Sequence, residues 1–176
     1  MQALCDFATT NDKPLGLNLS APFVIQFYMD AVKATIKHAD FVFCNEDEGS
    51  AFATANNLEA ADRVGAAKII ASWEKASATR PRRVIITQGA EPTIVVTCQP
   101  GSEPTVELIP VAPVDPETIV DTNGAGDSFV GGFFAQLALN GDDITTAVNQ
   151  GNELAGTVIQ KSGCVFERMQ TYCTSP

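Results

Sequence analysis

The stretch Asp121-Thr122-Asn123-Gly124-Ala125-Gly126-Asp127 decides how the whole chain is read. Before it, Glu117-Thr118-Ile119-Val120 is a short β-branched run that reads as the end of a strand; after it, Ser128 to Asn140 is apolar, free of proline and reads as a helix. A Gly-Ala-Gly turn that opens a helix leaves first-turn N–H groups without intrahelical partners. Together with the positive end of the helix dipole they form an anion site. Glycine lets the backbone approach a phosphate and supplies the φ such a turn needs. Asp127 then has two readings. It is either a helix-start carboxylate favoured by the dipole, or a general base held beside an anion hole, taking a proton from a hydroxyl while the amides stabilise a transferring phosphoryl group.

Working outward, helical spacing covers Met1 to Thr9, with Leu4, Phe7 and Ala8 on one side, and Asn11-Asp12-Lys13-Pro14 reads as a turn. Leu15 to Leu19 is a short buried strand. Pro22 then starts a helix with the apolar stripe Phe23, Phe27, Ala31, Ala34 and Ile36. Asp40 to Cys44 is a second strand leading into Asn45, followed by helices at Glu46 to Ala55 and Leu58 to Lys75, the latter with Trp73 as a half-buried anchor. Arg83 to Thr87 is a third strand ending in Gln88-Gly89-Ala90, and Thr93 to Cys98 with Thr105 to Val111 reads as a hairpin region. Phe129, Phe133 and Phe134 read as core, while Gly131-Gly132 would let their helix approach a neighbour closely. Gly141-Asp142-Asp143 stops that helix, and Ile144 to Lys161 is the last one. Helices alternating with short continuous apolar strands predict a parallel sheet covered on both faces, with ligands at the carboxyl ends of its strands. Asn45, Thr87, Gly89 and the run Gly124 to Asp127 all fall at such ends.

Composition narrows the function classes. The chain has 176 residues, 45% hydrophobic and 18% charged, which is globular rather than disordered. A formal net charge of −10 argues against nucleic acid or an anionic membrane as partner. A polyphosphate ligand would therefore need local amides and a metal ion. The cysteines at 5, 44, 98, 164 and 173 are odd in number and scattered, which argues against a disulfide framework or a zinc site and suits a reducing cytosol. Cys44 reads as a small buried hydrophobe. His38 reads as a partner of a helix C-terminus, and Arg80, Arg82 and Arg83 as a solvated basic loop. Neither a signal peptide nor a membrane-length apolar run is visible, so a soluble, cytoplasmic protein is expected.

The run from Asp121 to Phe133 resembles the signature of the ribokinase-like (PfkB) carbohydrate and nucleoside kinases. Leu17 to Phe23, Asn45-Glu46-Asp47-Glu48 and Ser162 to Phe166 agree best with the adenosine kinase branch of that family, and their order and spacing fit across nearly the whole chain. The resemblance implies a three-layer αβα fold with a mostly parallel sheet. It also implies transfer of the γ-phosphate of ATP, with Mg2+, to the 5′-hydroxyl of adenosine. On matching positions it makes Asp127 the base and Gly124, Ala125 and Gly126 the anion hole. It places Asn45 and Glu48 at magnesium and phosphate, Thr87 and Gly89 near the ATP phosphates, and Asn123 and Asn152 at the nucleotide. Asp121 and Thr122 match a monovalent-cation site of some relatives. The residues themselves leave other readings open: Asn45 and Glu48 have capping-box spacing, Gln88-Gly89 suits a turn, and an amide such as Asn152 on a helix is commonly just solvated.

The resemblance maps this chain onto the C-terminal half only, so the fold is expected to lack its N-terminal strands, its lid and most nucleoside-binding residues. An unpaired apolar sheet edge follows, open to self-association or to a complementing N-terminal half. Without a lid to exclude water, the isolated chain is expected to be poorly active. Two other functions compete: a related sugar kinase with a different hydroxyl acceptor, and a non-catalytic binding or assembly module.

Overall fold

The computed structural model describes residues 1–56 and 62–163. The first five residues of the segment read as a helix from Leu58 onward are only partly covered, since 58–61 lie outside that range, as do Cys164, Val165, Phe166 and Cys173. The chain forms two compact units, Met1–Pro110 and Val111–Pro176.

In the first unit α1 (Gln2–Thr10), β1 (Gly16–Asn18), α2 (Pro22–Ile36), β2 (Phe41–Asn45), α3 (Glu46–Ala55), α4 (Arg63–Ser72), β3 (Arg82–Gln88), β4 (Glu91–Cys98) and β5 (Thr105–Ile109) follow in order. The five strands make one sheet in the order β1-β2-β3-β4-β5. β1, β2 and β3 are parallel and joined through helices, whereas β3, β4 and β5 are antiparallel. The sheet is thus mixed: parallel where helices connect the strands, antiparallel in the expected hairpin region. Phe41 to Cys44 and Val84 to Ile86 are buried without alternation, the pattern of strands inside a sheet covered on both faces. One cluster unites Leu19, Ile25, Ile36, Val42, Phe52, Ile70, Val84, Ile86 and Val96. Trp73 closes α4 as an anchor, its ring edge-on to Phe52 at 5.1 Å.

Two helices turn a different face inward from the one their spacing suggested. α2 carries two apolar arcs: Ile36 of the expected stripe is buried, together with Ile25 and Val32 of the other, while Phe23 and Phe27 are exposed. Both arcs repeat at helical spacing, so periodicity cannot choose between them; branched side chains pack better on the sheet. The helix also kinks at Tyr28, where φ and ψ are −127° and 26°. In α1, Cys5 and Ala8 are buried against Leu15, while Leu4 and Phe7 are exposed.

The basic cluster is not a solvated loop. Arg82 is buried, and its guanidinium donates to five carbonyls: Ile36 at 2.7 Å, Ala39 at 3.3 Å, Ile70 at 3.2 Å, Trp73 at 2.7 Å and Glu74 at 3.0 Å. These lie at the C-terminal ends of α2 and α4, where helices leave acceptors unsatisfied. Burial pushes the guanidinium down to about 10. Arg80 pairs with Asp12 at 2.9 Å, and Arg83 lies 5.6 Å from the centre of the Phe41 ring. Nearby, Lys75 and Asp40 form a buried ion pair at 2.8 Å, with Asp40 Oδ2 also accepting from Leu15 N. His38 sits just past the end of α2, its Nδ1 3.1 Å from Thr9 Oγ1.

The second unit holds α5 (Ala125–Asn140) and α6 (Ile144–Val158). The strand expected at Glu117 to Val120 is absent. Pro116–Thr118 forms one 3-10 turn instead, because Asp115 Oδ1 accepts from Glu117 N at 3.0 Å and proline fixes the first φ. Val120 N and Asp121 N both donate to Ile159 O, at 2.8 and 3.2 Å, tying the motif to the end of α6. The two helices pack at glycines. A Cβ on Gly132 would stand 2.9 Å from Gln150 O, and one on Gly151 2.8 Å from Phe129. Phe129 and Phe133 are buried as expected, Phe134 half-buried. Gly141, at φ 70°, ends α5, and Asp143 caps α6 through Thr146 N.

Candidate functional site

In the second unit the site is a turn built on Asp121. Its Oδ1 accepts from Asn123 N at 2.9 Å and its Oδ2 from Gly163 N at 3.4 Å, so one carboxylate braces both the motif and the segment after α6. Ala125 N closes onto Thr122 O at 3.3 Å, and Gly124 takes a left-handed φ of 78° as the N-cap of α5. The cap residue has no side chain to offer, so among the described residues no side chain caps the first turn of α5. Ser128 instead folds back, its N and Oγ donating to Gly124 O at 2.9 and 2.7 Å.

The two glycines of this turn differ in kind. Gly124 is demanded by its φ. Gly126 has no positive φ, and a Cβ there would meet nothing within 4 Å. Among the described residues neither backbone strain nor packing accounts for it. Asp127, exposed in the first turn of α5, lies one residue on. Donors for an anion and a carboxylate able to accept a proton therefore sit in one helical turn. Asn123 is exposed within the same turn, and Asn152 is half-buried on α6, next to Gly151.

In the first unit the predicted residues gather at the carboxyl ends of β2 and β3. Asn45 and Thr87 are paired across the parallel register. The register between β3 and β4 shifts between Ile86 and Gln88, a bulge that takes Thr87 out of that ladder. Gly89 makes the turn into β4 with φ 61°, so its turn reading is fulfilled. Asn45 and Glu48 form a complete capping box. Glu48 is buried, and its carboxyl sits above the usual carboxylate range: burial raises it most, Asp47 and Glu46 raise it further, and the Asn45 amide works against them. Among the described residues no group of three or more His, Cys, Asp or Glu is placed to hold a metal ion. The donor set here is one carboxylate whose Oε2 is already taken by Asn45 N. That fits an ion such as magnesium, which keeps its waters and relies on ligand phosphates, and does not fit an all-protein cage.

Two features escaped the sequence reading. One is the bulge at Thr87, which leaves no compositional mark. The other is Ser20, at the end of β1, held at φ 66° with its N donating to Asn18 Oδ1 and its Oγ to Asn18 O. A non-glycine residue in the left-handed region at a strand's carboxyl end is a strained position of the sort functional sites keep. The Asn-x-Ser spacing ahead of Pro22 was the available signal.

The family model described as pfkB family carbohydrate kinase matches residues 1–171. The chain belongs to the pfkB family. Among curated relatives of this pfkB chain, adenosine kinase 1 of Arabidopsis thaliana is 38% identical over 166 residues, covering 94% of this chain and 46% of the relative. The adenosine kinase of Schizophyllum commune is 41% identical over 162 residues, covering 91% and 46%. Anopheles gambiae adenosine kinase, solved in complex with P1,P4-di(adenosine-5) tetraphosphate, superposes with a TM-score of 0.84 at 39% identity over 92% of this chain and 46% of that one. Schistosoma mansoni adenosine kinase in complex with 2-fluoroadenosine gives 0.86 at 30%, over 97% and 48%. The pfkB chain thus spans just under half the length of the relatives it matches. Among its described residues no helix is long and apolar enough to cross a membrane.

Proposed function

We propose that this chain is the nucleotide-binding and catalytic-base half of an adenosine kinase, transferring the γ-phosphate of ATP to the 5′-hydroxyl of adenosine in the cytoplasm and releasing AMP and ADP. The observation that carries the reading is the turn at Gly124 to Asp127: a left-handed cap without a side chain, first-turn amides with no side-chain cap, a glycine that neither strain nor packing among the described residues requires, and a carboxylate in the same turn. In the proposed reaction Asp127 accepts the proton of the attacking hydroxyl. The backbone of the turn at Gly124, Ala125 and Gly126 forms the anion hole that holds the charge building on the γ-phosphoryl oxygens. Thr87 and Gly89 orient the polyphosphate, and Asn123 and Asn152 contact the nucleotide. Magnesium bound with ATP would supply charge neutralisation at the phosphates. Asn45 and Glu48 would hold it through its waters, Glu48 using the oxygen left over from the capping box.

The test is AMP formation from adenosine and MgATP by the 176-residue chain, with ribose as competing acceptor and Asp127→Ala alongside. Weak AMP formation, as a chain without its lid should give, in preference to ribose phosphate and cut about 100-fold to 10,000-fold by the substitution, is the expected result. Preference for ribose would move the chain to a sugar kinase. Because the chain spans 46% of its relatives, a non-catalytic module is the second reading. ATP binding that Asp127→Ala leaves intact, with no turnover in either protein, would favour it, and failure to bind ATP at all would overturn both.

A further inference from the structure

We propose that the cavity at the amino ends of β1, β2 and β3, floored by the Lys75 ammonium and rimmed by Lys13, His38 and Arg80, binds a small oxyanion. The inference does not rest on phosphoryl transfer. Asn45 and Thr87 lie at the opposite ends of the same strands, separated from the cavity by the length of β2, five residues at about 3.3 Å each. All the residues concerned belong to the first unit.

The floor carries a donor left over. The Lys75 side chain is 4% exposed, and its ammonium has three protons. One goes to Asp40 Oδ1 at 2.8 Å and a second to Ser77 O at 2.9 Å. Among the described residues the third has no acceptor, and leaving a buried charged donor unmet is costly. The cavity that Lys75 lines has a volume of about 20 Å³, room for an atom the size of a water oxygen, with its mouth toward solvent.

Charge selects the occupant. Water would satisfy the third proton, but the wall is not neutral. Both carboxylates present are engaged: Asp40 holds Lys75 on Oδ1 and accepts from Leu15 N on Oδ2, and Asp12 Oδ1 accepts from Arg80 Nη1 at 2.9 Å. Lys13 has no acidic partner among the described residues. When the Thr9 hydroxyl donates to His38 Nδ1, 3.1 Å away, Nε2 carries the ring proton and is a further donor. Three cations thus face two neutralised acids, in a chain whose formal charge is −10. A metal ion would find no free carboxylate here. Of the described residues that line the cavity only Ala8 is apolar, so an apolar ligand finds no wall. The donors come from three separate connections, those preceding β1, β2 and β3, which suits an ion offering several oxygens better than a single-atom halide.

The rim is set in advance. Asp12 stands at a left-handed φ of 50°, and Arg80, 68 residues on, holds both its Oδ1 and, at 2.8 Å, its carbonyl. Ala76 N donates to Lys37 O at 2.7 Å and fixes the segment beside Lys75. Binding then has little backbone left to order.

His38 is the only histidine of the chain, so its ring resonances report on the cavity directly. The experiment titrates sodium sulfate into the isotope-labelled 176-residue chain at fixed pH, with sodium chloride at equal ionic strength as control. The His38 ring nitrogens are followed by NMR. A saturable shift that chloride does not reproduce is expected, with at least tenfold weaker binding in Lys13→Ala and recovery in Lys13→Arg. Lys13 is exposed, so without sulfate Lys13→Ala should melt with the parent. Gly126→Ala should bind sulfate at His38 as the parent does, which separates this cavity from the turn at Gly124 to Asp127. No saturable shift, a shift matched by chloride, or one that Lys13→Ala leaves unchanged would overturn the proposal. No readout depends on kinase activity, so failure here and failure of the kinase reading are separate results.

Discussion

Asn45 and Glu48 each satisfy the other's backbone: Glu48 N donates to Asn45 Oδ1 at 2.8 Å, and Asn45 N donates to Glu48 Oε2 at 3.0 Å. The box fixes the corner where β2 becomes α3, and it does so with a carboxylate held out of water beside Glu46 and Asp47.

That carboxylate costs stability at neutral pH. Its folded-state value is raised above that of the unfolded chain, so the folded protein holds the proton to higher pH. Stability is therefore lost as pH rises from the ordinary glutamate value, about 4.3, through the raised one. Glu48→Gln keeps an acceptor for Asn45 N and removes the charge. The variant should melt above the parent at pH 8, with the gap closing toward pH 4, whereas Glu48→Ala should lose about 1 kcal/mol for the missing cap. Thermal melts across that range decide it; a gap that does not vary with pH would mean the carboxyl is not destabilised by burial.

The two motif glycines should separate folding from binding. Gly124→Ala forces a Cβ into a left-handed φ of 78° and should cost about 1–2 kcal/mol in the melt. Gly126→Ala places a Cβ in open space within a helix, so stability should hold or rise by up to about 1 kcal/mol. It should nonetheless weaken ATP at least tenfold in a titration. Unchanged ATP affinity in Gly126→Ala would remove the phosphate from this turn.

Much of this arrangement was legible in the sequence because it is local. The capping box needs only Asn45 and Glu48 three apart, and the Gly-Ala-Gly helix start only its own residues. What escaped depended on distant partners. Arg82 looked like one of three surface arginines until α2 and α4 brought five carbonyls to it. The Phe23 and Phe27 arc had the same period as the Ile25 and Val32 arc, and only packing on the sheet chose between them. The run Glu117 to Val120 had strand composition, but Asp115 and Pro116 set a turn there first.

Helix packing in the second unit gives a paired comparison at adjacent positions. Gly132→Ala drives a Cβ to 2.9 Å from Gln150 O, and Gly151→Ala to 2.8 Å from Phe129; each should cost about 1–3 kcal/mol as α5 and α6 are pushed apart. Gly131→Ala meets nothing within 4 Å and should gain about 0.5–1 kcal/mol from helix propensity. Melting the three variants side by side tests the packing, and equal effects at 131 and 132 would contradict it.

Arg82 should be the least replaceable residue of the first unit. Its fork reaches Ile36 and Ala39 on one side and Ile70, Trp73 and Glu74 on the other, ends of two helices that no single-atom donor could span. Arg82→Met leaves those buried carbonyls without that donor and should cost about 3–5 kcal/mol, enough to unfold a marginal domain. Arg82→Lys keeps the charge but concentrates its three donors on one nitrogen, so it should recover less than half of the loss. Denaturant unfolding of the three proteins measures this. Full recovery by lysine would mean that charge, and not the geometry of the fork, holds the two helix ends together.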